Sequence, residues 1–297
     1  MKKLFAISAC CAILLIGCGG SDSTSTLSSS DNSAYVIDSP VKGIDYICYD
    51  GNGNVVKEGV TEDDGKLVYP SGTVKCKFGF KSSDGTKSGY VYETNISKDG
   101  NLYIFPIDDN PVAKSVPMIL QTMDIDGNLS NGIQITQTEK DLYLDNFSDT
   151  IPTSTELESV MKQDENYSGQ AVDEATAITN IFNDIKQYVK TGTYTGTFTL
   201  VAGDPNNCWE SGTLSFDLNY TYDEDGNPYY KVINGSLQGY SASVGLDGVF
   251  LGSFKGYIVG PYYTTSLWGH VTTDQKIVGE YQNSYCRGVW TAVYSGE

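Results

Sequence analysis

The chain has 297 residues, with 37 acidic side chains against 19 Lys and Arg and a single histidine, for a formal net charge of −18 at pH 7. Such a surface repels nucleic acid and anionic lipid head groups, so nucleic acid is excluded as a partner. The excess acid serves solubility, or contacts with cations and basic partners.

The chain opens with Lys2 and Lys3, runs apolar over 4–16, and then reads Gly17-Cys18. A positive head, a short apolar stretch and a small residue make a cleaved export signal over 1–17, too short to span a bilayer as a mature helix. The ending Leu15-Ile16-Gly17-Cys18 resembles the lipobox of bacterial lipoproteins. That resemblance implies cleavage before Cys18 and acylation of Cys18, palmitate included. It places the chain in the cell envelope, with Gly19 rather than Asp at the next position pointing to the outer membrane. Each buried methylene is worth about 0.8 kcal/mol, and two or more acyl chains hold a protein on a membrane durably. The membrane is therefore an expected partner through the anchor alone, since no later stretch approaches ~18 consecutive apolar residues. Losing 1–17 removes two lysines and takes the net charge from −18 to −20. Segment 18–34 starts with Gly19 and Gly20, is rich in Ser, Thr, Asp and Asn, and reads as a flexible linker.

Beyond Cys10, Cys11 and Cys18 remain Cys48, Cys76, Cys208 and Cys286. An even remainder in an oxidising compartment suggests two disulfides, with three pairings open. Proximity favours Cys48 with Cys76 and Cys208 with Cys286. Zinc is disfavoured because the four lie in distant segments with no C-x-x-C pair, and no metal site is expected.

Segment 35–106 reads as a β-sandwich: Ile44, Tyr46 and Cys48 alternate, as do Val74, Cys76 and Phe78, with turns at "DGNGN" and at Asp63-Asp64-Gly65. The stretch "VIDSPVKGIDYIC…GVTEDDGKLVY" resembles small prealbumin-like or carboxypeptidase-regulatory-like sandwiches, in which such residues form turns and catalyse nothing.

A helical connector is expected over 107–192. Its first helix covers 110–124, with Asn110 as cap, Pro111 at the first position, and Val116, Ile119 and Leu120 at helical spacing. The following "DIDGNLSNGIQIT" reads as a loop, and a similar Leu-Gln-Thr…Asp-x-Asp-Gly-Asn…Asn-Gly-Ile run recurs in bacterial lipoproteins of unassigned role. A second helix covers 171–190, with Ala175, Ile178, Phe182, Ile185 and Val189 as a core stripe and Gly192 as its stop. The expected partner of that stripe is the first helix or a flank of the sandwich.

Segment 193–297 has period two throughout. Strands are expected at 194–201, 212–222, 229–237, 241–246, 249–258, 264–273, 277–282 and 288–294, which makes an eight-stranded antiparallel β-barrel. In an up-and-down barrel the loop after the first strand and the start of the eighth meet at the seam, where Cys208 and Cys286 fall. The pattern "GVFLGSFKG…IVGEY…CRGVW" resembles terminal barrels of surface lipoproteins, including transferrin-receptor lipoproteins. The expected fold class is thus mainly β.

The sequence holds no recognisable catalytic or cofactor motif: His270 is the only imidazole, "SLWGHV" places it on a strand's polar face, and no G-x-S-x-G, Walker or dinucleotide motif occurs. Glu210, Asp217, Asp223 to Asp225 and Glu280 are acids by type alone, with no distinguishing spacing. "DIDGN" and "DGNGN" miss the glycine and twelfth-position ligand of a calcium loop, so they read as tight turns. No cofactor is expected, and the chain reads as non-enzymatic. Twelve of the 22 tyrosines lie within 194–294, and amphipathic rings suit binding surfaces. Tyr262, Tyr263 and Trp268 are the candidate binding residues, for an unknown protein or glycan partner. The alternatives are a carrier holding a small apolar ligand inside the barrel and a periplasm-facing envelope assembly factor.

Overall fold

Strand periodicity and turn chemistry dominate both halves of the molecule. The computed structural model describes residues 31–96, 101–108, 110–147, 150–204, 208, 211–238, 244–260 and 264–296. The export signal, Cys18, Trp209, Glu210, Tyr262 and Tyr263 lie outside the described residues.

The first half contains β1 (Asp31–Val36), β2 (Val41–Lys42), β3 (Asp45–Asp50), β4 (Val55–Val60), β5 (Lys66–Pro70), β6 (Thr73–Lys81), β7 (Ser88–Asn95) and β8 (Leu102–Ile104). One sheet runs β4-β3-β6-β7, all antiparallel; the other runs β5-β1-β8, with β8 parallel to β1. Ile44, Tyr46, Cys48, Cys76 and Phe78 are all buried, as the alternation requires. Cys48 and Cys76 stand directly opposite each other on β3 and β6 and are disulfide-bonded, with Cα atoms 4.1 Å apart.

The same turn chemistry closes one hairpin in each half. Asp50 Oδ1 accepts the backbone N–H groups of Asn52 and Asn54, and its Oδ2 accepts Asn54 Nδ2. Asp223 repeats this arrangement with Asp225 and Asn227. In both, the residue before the Asn is a glycine in the left-handed region, Gly53 at φ 82° and Gly226 at φ 85°. These acids are therefore bound up in holding turns.

Four helices follow: α1 (Pro111–Thr122), α2 (Gln137–Phe147), α3 (Ser154–Met161) and α4 (Glu174–Tyr188). The short β9 (Ile133–Gln134), between α1 and α2, pairs with β2. As expected, Asn110 caps α1 by accepting the Val112 N–H, and Val116, Ile119 and Leu120 are buried. Helices α1 to α3 share one apolar core with the two N-terminal sheets. Helix α4 is shorter than 171–190; Ile178, Phe182, Ile185 and Val189 of the expected stripe are buried, Ala175 in its first turn is exposed, and Ala177 and Ile181 widen the buried face. That face is wide because α4 serves two surfaces: Ala177 joins the N-terminal core, while Ile178, Ile181, Phe182 and Ile185 join the core of the barrel.

The barrel closes from β10 (Gly192–Gly203) through β11 (Ser211–Tyr222), β12 (Pro228–Gln238), β13 (Val244–Phe250), β14 (Phe254–Val259), β15 (Thr264–Val271) and β16 (Lys276–Gln282) to β17 (Cys286–Gly296). Every neighbouring pair is antiparallel, and β17 pairs back onto β10. Cys208 and Cys286 are bonded across that seam, with Cα atoms 5.7 Å apart. One hairpin differs from expectation: the chain turns at 251–253 rather than at 247–248. Gly252, at φ 89°, makes that turn where an added Cβ would meet the carbonyl oxygens of Phe105 and Ile107, so tertiary contact sets its place.

The barrel's interior is filled by rings. Tyr194 stacks on Phe216 with centroids 5.5 Å apart, Phe216 lies 5.5 Å from Phe254, and Phe254 lies 5.0 Å from Trp290. Helix α4 packs across one end, where Tyr230 donates its hydroxyl proton to the Val189 carbonyl at 3.1 Å. On the outside, the wall made by β15 and β16 rests against the first half. There the Val278 side chain enters the N-terminal core, Leu102 bridges Thr272, and the Thr273 N–H donates to the Asn101 carbonyl.

Candidate functional site

Where the closed barrel meets the four-stranded N-terminal sheet, an open groove of about 630 Å³ remains between them. The barrel contributes Trp268 from β15, Glu280 and Gln282 from β16, and Arg287 from β17. Period two sends Leu267, Tyr281 and Trp290 inward and leaves Trp268, Glu280 and Arg287 on the outer face. The sheet contributes Tyr49, Lys75, Lys77 and Asn95, with the Asp50–Asn54 turn at the rim. Asn95 and Trp268 also line a smaller recess of about 200 Å³ that reaches Asp108, Lys255 and His270, so the groove continues between the barrel wall and β7.

Each charged group in the groove has a defined neighbour. Arg287 donates through Nε and Nη2 to Glu280 Oε2, at 2.9 and 2.6 Å, and the Glu280 side chain is only 5% exposed. Lys75 and Lys77 share one carboxylate, Glu93, at 3.2 and 3.4 Å. The Lys75 ammonium also lies 5.8 Å from the Tyr49 ring centroid, and Lys77 lies 5.9 Å from that of Tyr90. Trp268 is half-buried and held by its backbone, whose carbonyl accepts Trp290 Nε1–H at 3.2 Å.

No family model, no curated protein and no solved structure matches the chain. The groove must be judged on its own chemistry.

His270 departs from the expected polar face. It projects from the outside of the barrel, but the first half covers that wall, leaving His270 1% exposed. Its Nε2 lies 2.6 Å from the Asn95 carbonyl oxygen. A carbonyl only accepts, so Nε2 carries a proton. Burial holds its pKa below the ordinary 6.5.

The carboxyl groups pushed upward lie elsewhere. Burial raises Asp38 well above the usual carboxylate range, with Oδ1 accepting from Gln121 and Oδ2 without a hydrogen bond. Burial also raises Asp124 to about 6 and lifts Glu139. None of the three lines the groove or its side recess. Among the described residues no group of three or more His, Cys, Asp or Glu is placed to hold a metal ion.

Of the residues singled out from sequence, Trp268 sits in the groove, and the four cysteines are spent in disulfides away from its lining. Glu280, an acid by type alone, stands there as the partner of Arg287. Lys75, Lys77, Asn95 and Arg287 were not foreseen. Lys75 and Lys77 stand two apart on β6, on one face of a strand, and "KCK" between apolar neighbours was the signal available for them.

Proposed function

We propose that the protein is a lipid-anchored bacterial envelope protein that binds a ligand in the groove at Trp268 and performs no bond-breaking chemistry. The supporting observation is the groove itself. It presents an aromatic ring, amides and cations between two sheets, and the acid beside Trp268, Glu280, is engaged by Arg287. The filled barrel interior disfavours a carrier that stores a small apolar ligand inside it. The Leu15-Ile16-Gly17-Cys18 box supports acylation at Cys18 and an outer-membrane location, and the Ser-rich linker after it gives the folded part reach. A prealbumin-like ancestry for the N-terminal sheets belongs to the same reading.

Metabolic labelling with a palmitate analogue tests the anchor: the chain should take the label, and Cys18→Ser should abolish it. Protease shaving of intact cells tests display, since a barrel peptide released from whole cells marks the outer surface and one released only after lysis marks a periplasm-facing assembly factor. Loss of ligand retention on Trp268→Ala, with the melting curve unchanged, tests the groove.

A further inference from the structure

We infer that the ligand of this groove is a saccharide carrying an acidic group, with a sugar face on the Trp268 indole and its anion at Lys75 and Lys77. The inference rests on the binding reading above and names the chemical class.

Backbone geometry argues first. Peptides are captured along sheets by adding a strand to an open edge, or along apolar grooves by an amphipathic helix. The barrel has no edge, because β10 and β17 pair, and the groove meets its wall at strands hydrogen-bonded on both sides. On the other wall, β3 and β6 are interior strands of their sheet, and the edge strand β7 reaches the groove only at its last residue, Asn95, whose carbonyl is already taken by His270. What the groove offers is mainly side chains: the Trp268 indole, the Tyr49 ring, two planar amides (Asn95 and Gln282), three cations and the carboxylates of Asp50 and Glu280. An indole face matches the C–H face of a sugar ring, while amides and a guanidinium match its hydroxyls.

Charge argues second. The chain carries 37 acids to 19 cations, yet Lys75, Lys77 and Arg287 meet at this groove. Glu280 is matched by Arg287, and Asp50 stays charged but its oxygens are directed at the turn amides and not at the lysines, so acids and cations balance in number while the lysines keep donors to spare. Lys75 and Lys77 share the single carboxylate of Glu93. Each ammonium has three donors, so two lysines on one acid can accommodate a second carboxylate, sulfate or phosphate ester.

The test uses the full-length lipoprotein in detergent on a printed array of acidic and neutral glycans, followed by tryptophan-fluorescence titration with the retained oligosaccharides and with their methyl-esterified or desulfated counterparts. Acidic glycans should be retained at least about tenfold more tightly than their neutral counterparts, and binding should weaken as salt rises. Trp268→Ala should abolish binding. Lys75→Gln/Lys77→Gln should erase the acid preference while neutral binding persists. Equal binding of neutral counterparts, or an unchanged preference in the lysine variant, overturns the acidic class and leaves the groove standing. Retention that Trp268→Ala does not alter overturns the groove itself. Retention of no glycan at all overturns the saccharide reading, and a peptide display screen on the same protein then shows whether the groove binds anything.

Discussion

His270 Nε2 lies 2.6 Å from the Asn95 carbonyl oxygen, so a part-buried hydrogen bond joins the barrel wall to the last strand of the N-terminal sheet. Thr94 Oγ1 stands 3.5 Å from the same nitrogen, and Glu93, Asp108 and Lys255 line the recess beside it. Burial depresses this imidazole's pKa below 6.5. The folded state therefore refuses a proton that the unfolded chain accepts, and stability falls as pH drops below about 6.5. Replacing His270 with Gln keeps an N–H donor and removes the titration. Chemical denaturation at about pH 7.5 and about pH 5 should show the parent losing more stability than His270→Gln over that interval. Equal losses sink the assignment.

Asp124 titrates in the opposite sense. It is fully buried, Oδ1 accepts the Gln134 N–H at 2.9 Å, and Oδ2 has no hydrogen bond. Its pKa is pushed up to about 6 by burial. A raised carboxyl contributes stability that is complete below the unfolded value of about 3.8 and is lost as pH rises through about 6. Asp124→Asn imitates the protonated acid and keeps the acceptor for Gln134. It should stabilise the protein by about 1–2 kcal/mol near neutral pH and by nothing near pH 4. A variant equally stable to the parent at both pH values refutes the burial argument.

Sequence and structure agree where one local rule suffices. Alternation located the eight barrel strands, and the spacing of Cys208 and Cys286 located its seam, because barrel closure allows few partners for the first strand. Asn110-Pro111 fixed the start of α1. Helices α2 and α3 were missed because neither has a strong apolar stripe: α2 buries Glu139 and Lys140 beside Tyr143 and Leu144. For α3 the signal was present, since Thr153 and Glu156 form a reciprocal capping box. The groove was legible only at Trp268. Its other members come from strands up to 238 residues apart in the chain, from Tyr49 to Arg287, and only the docking of two sheets brings them together. His270 was misplaced for the same reason: strand period gives the face, and only tertiary packing says whether that face is wet.

The two disulfides should differ in what their loss does. Cys48 and Cys76 join strands already paired residue for residue over a separation of 28, whereas Cys208 and Cys286 close 78 residues. On the chain-entropy model the longer loop is worth about 4.5 kcal/mol and the shorter about 3.5 kcal/mol. The larger difference lies in cooperativity, because the seam bridge ties the first barrel strand to the last. Cys208→Ser/Cys286→Ser should raise amide exchange in β10 and β17 while the N-terminal sheets stay protected. Uniform loss of protection across both halves counts against a seam role.

Glycines on the inner face of the barrel make room for rings, which gives a steric prediction. A Cβ on Gly288 would run into the Tyr281 ring, and one on Gly279 would run into the Trp268 carbonyl oxygen and lie 2.6 Å from Trp290 Nε1. Tyr281 is fully buried and Trp290 nearly so, and neither ring can step aside without displacing its aromatic neighbours. Gly288→Ala and Gly279→Ala should therefore cost about 1–3 kcal/mol each by overpacking. Gly245, also in a barrel strand, has open space where its Cβ would point. There the gain in strand propensity and reduced unfolded-state freedom leave Gly245→Ala neutral or slightly stabilising. Denaturation midpoints of the three variants decide the matter. If Gly288→Ala melts with the parent, the interior is looser than the ring contacts indicate, and a ligand cavity inside the barrel becomes tenable again.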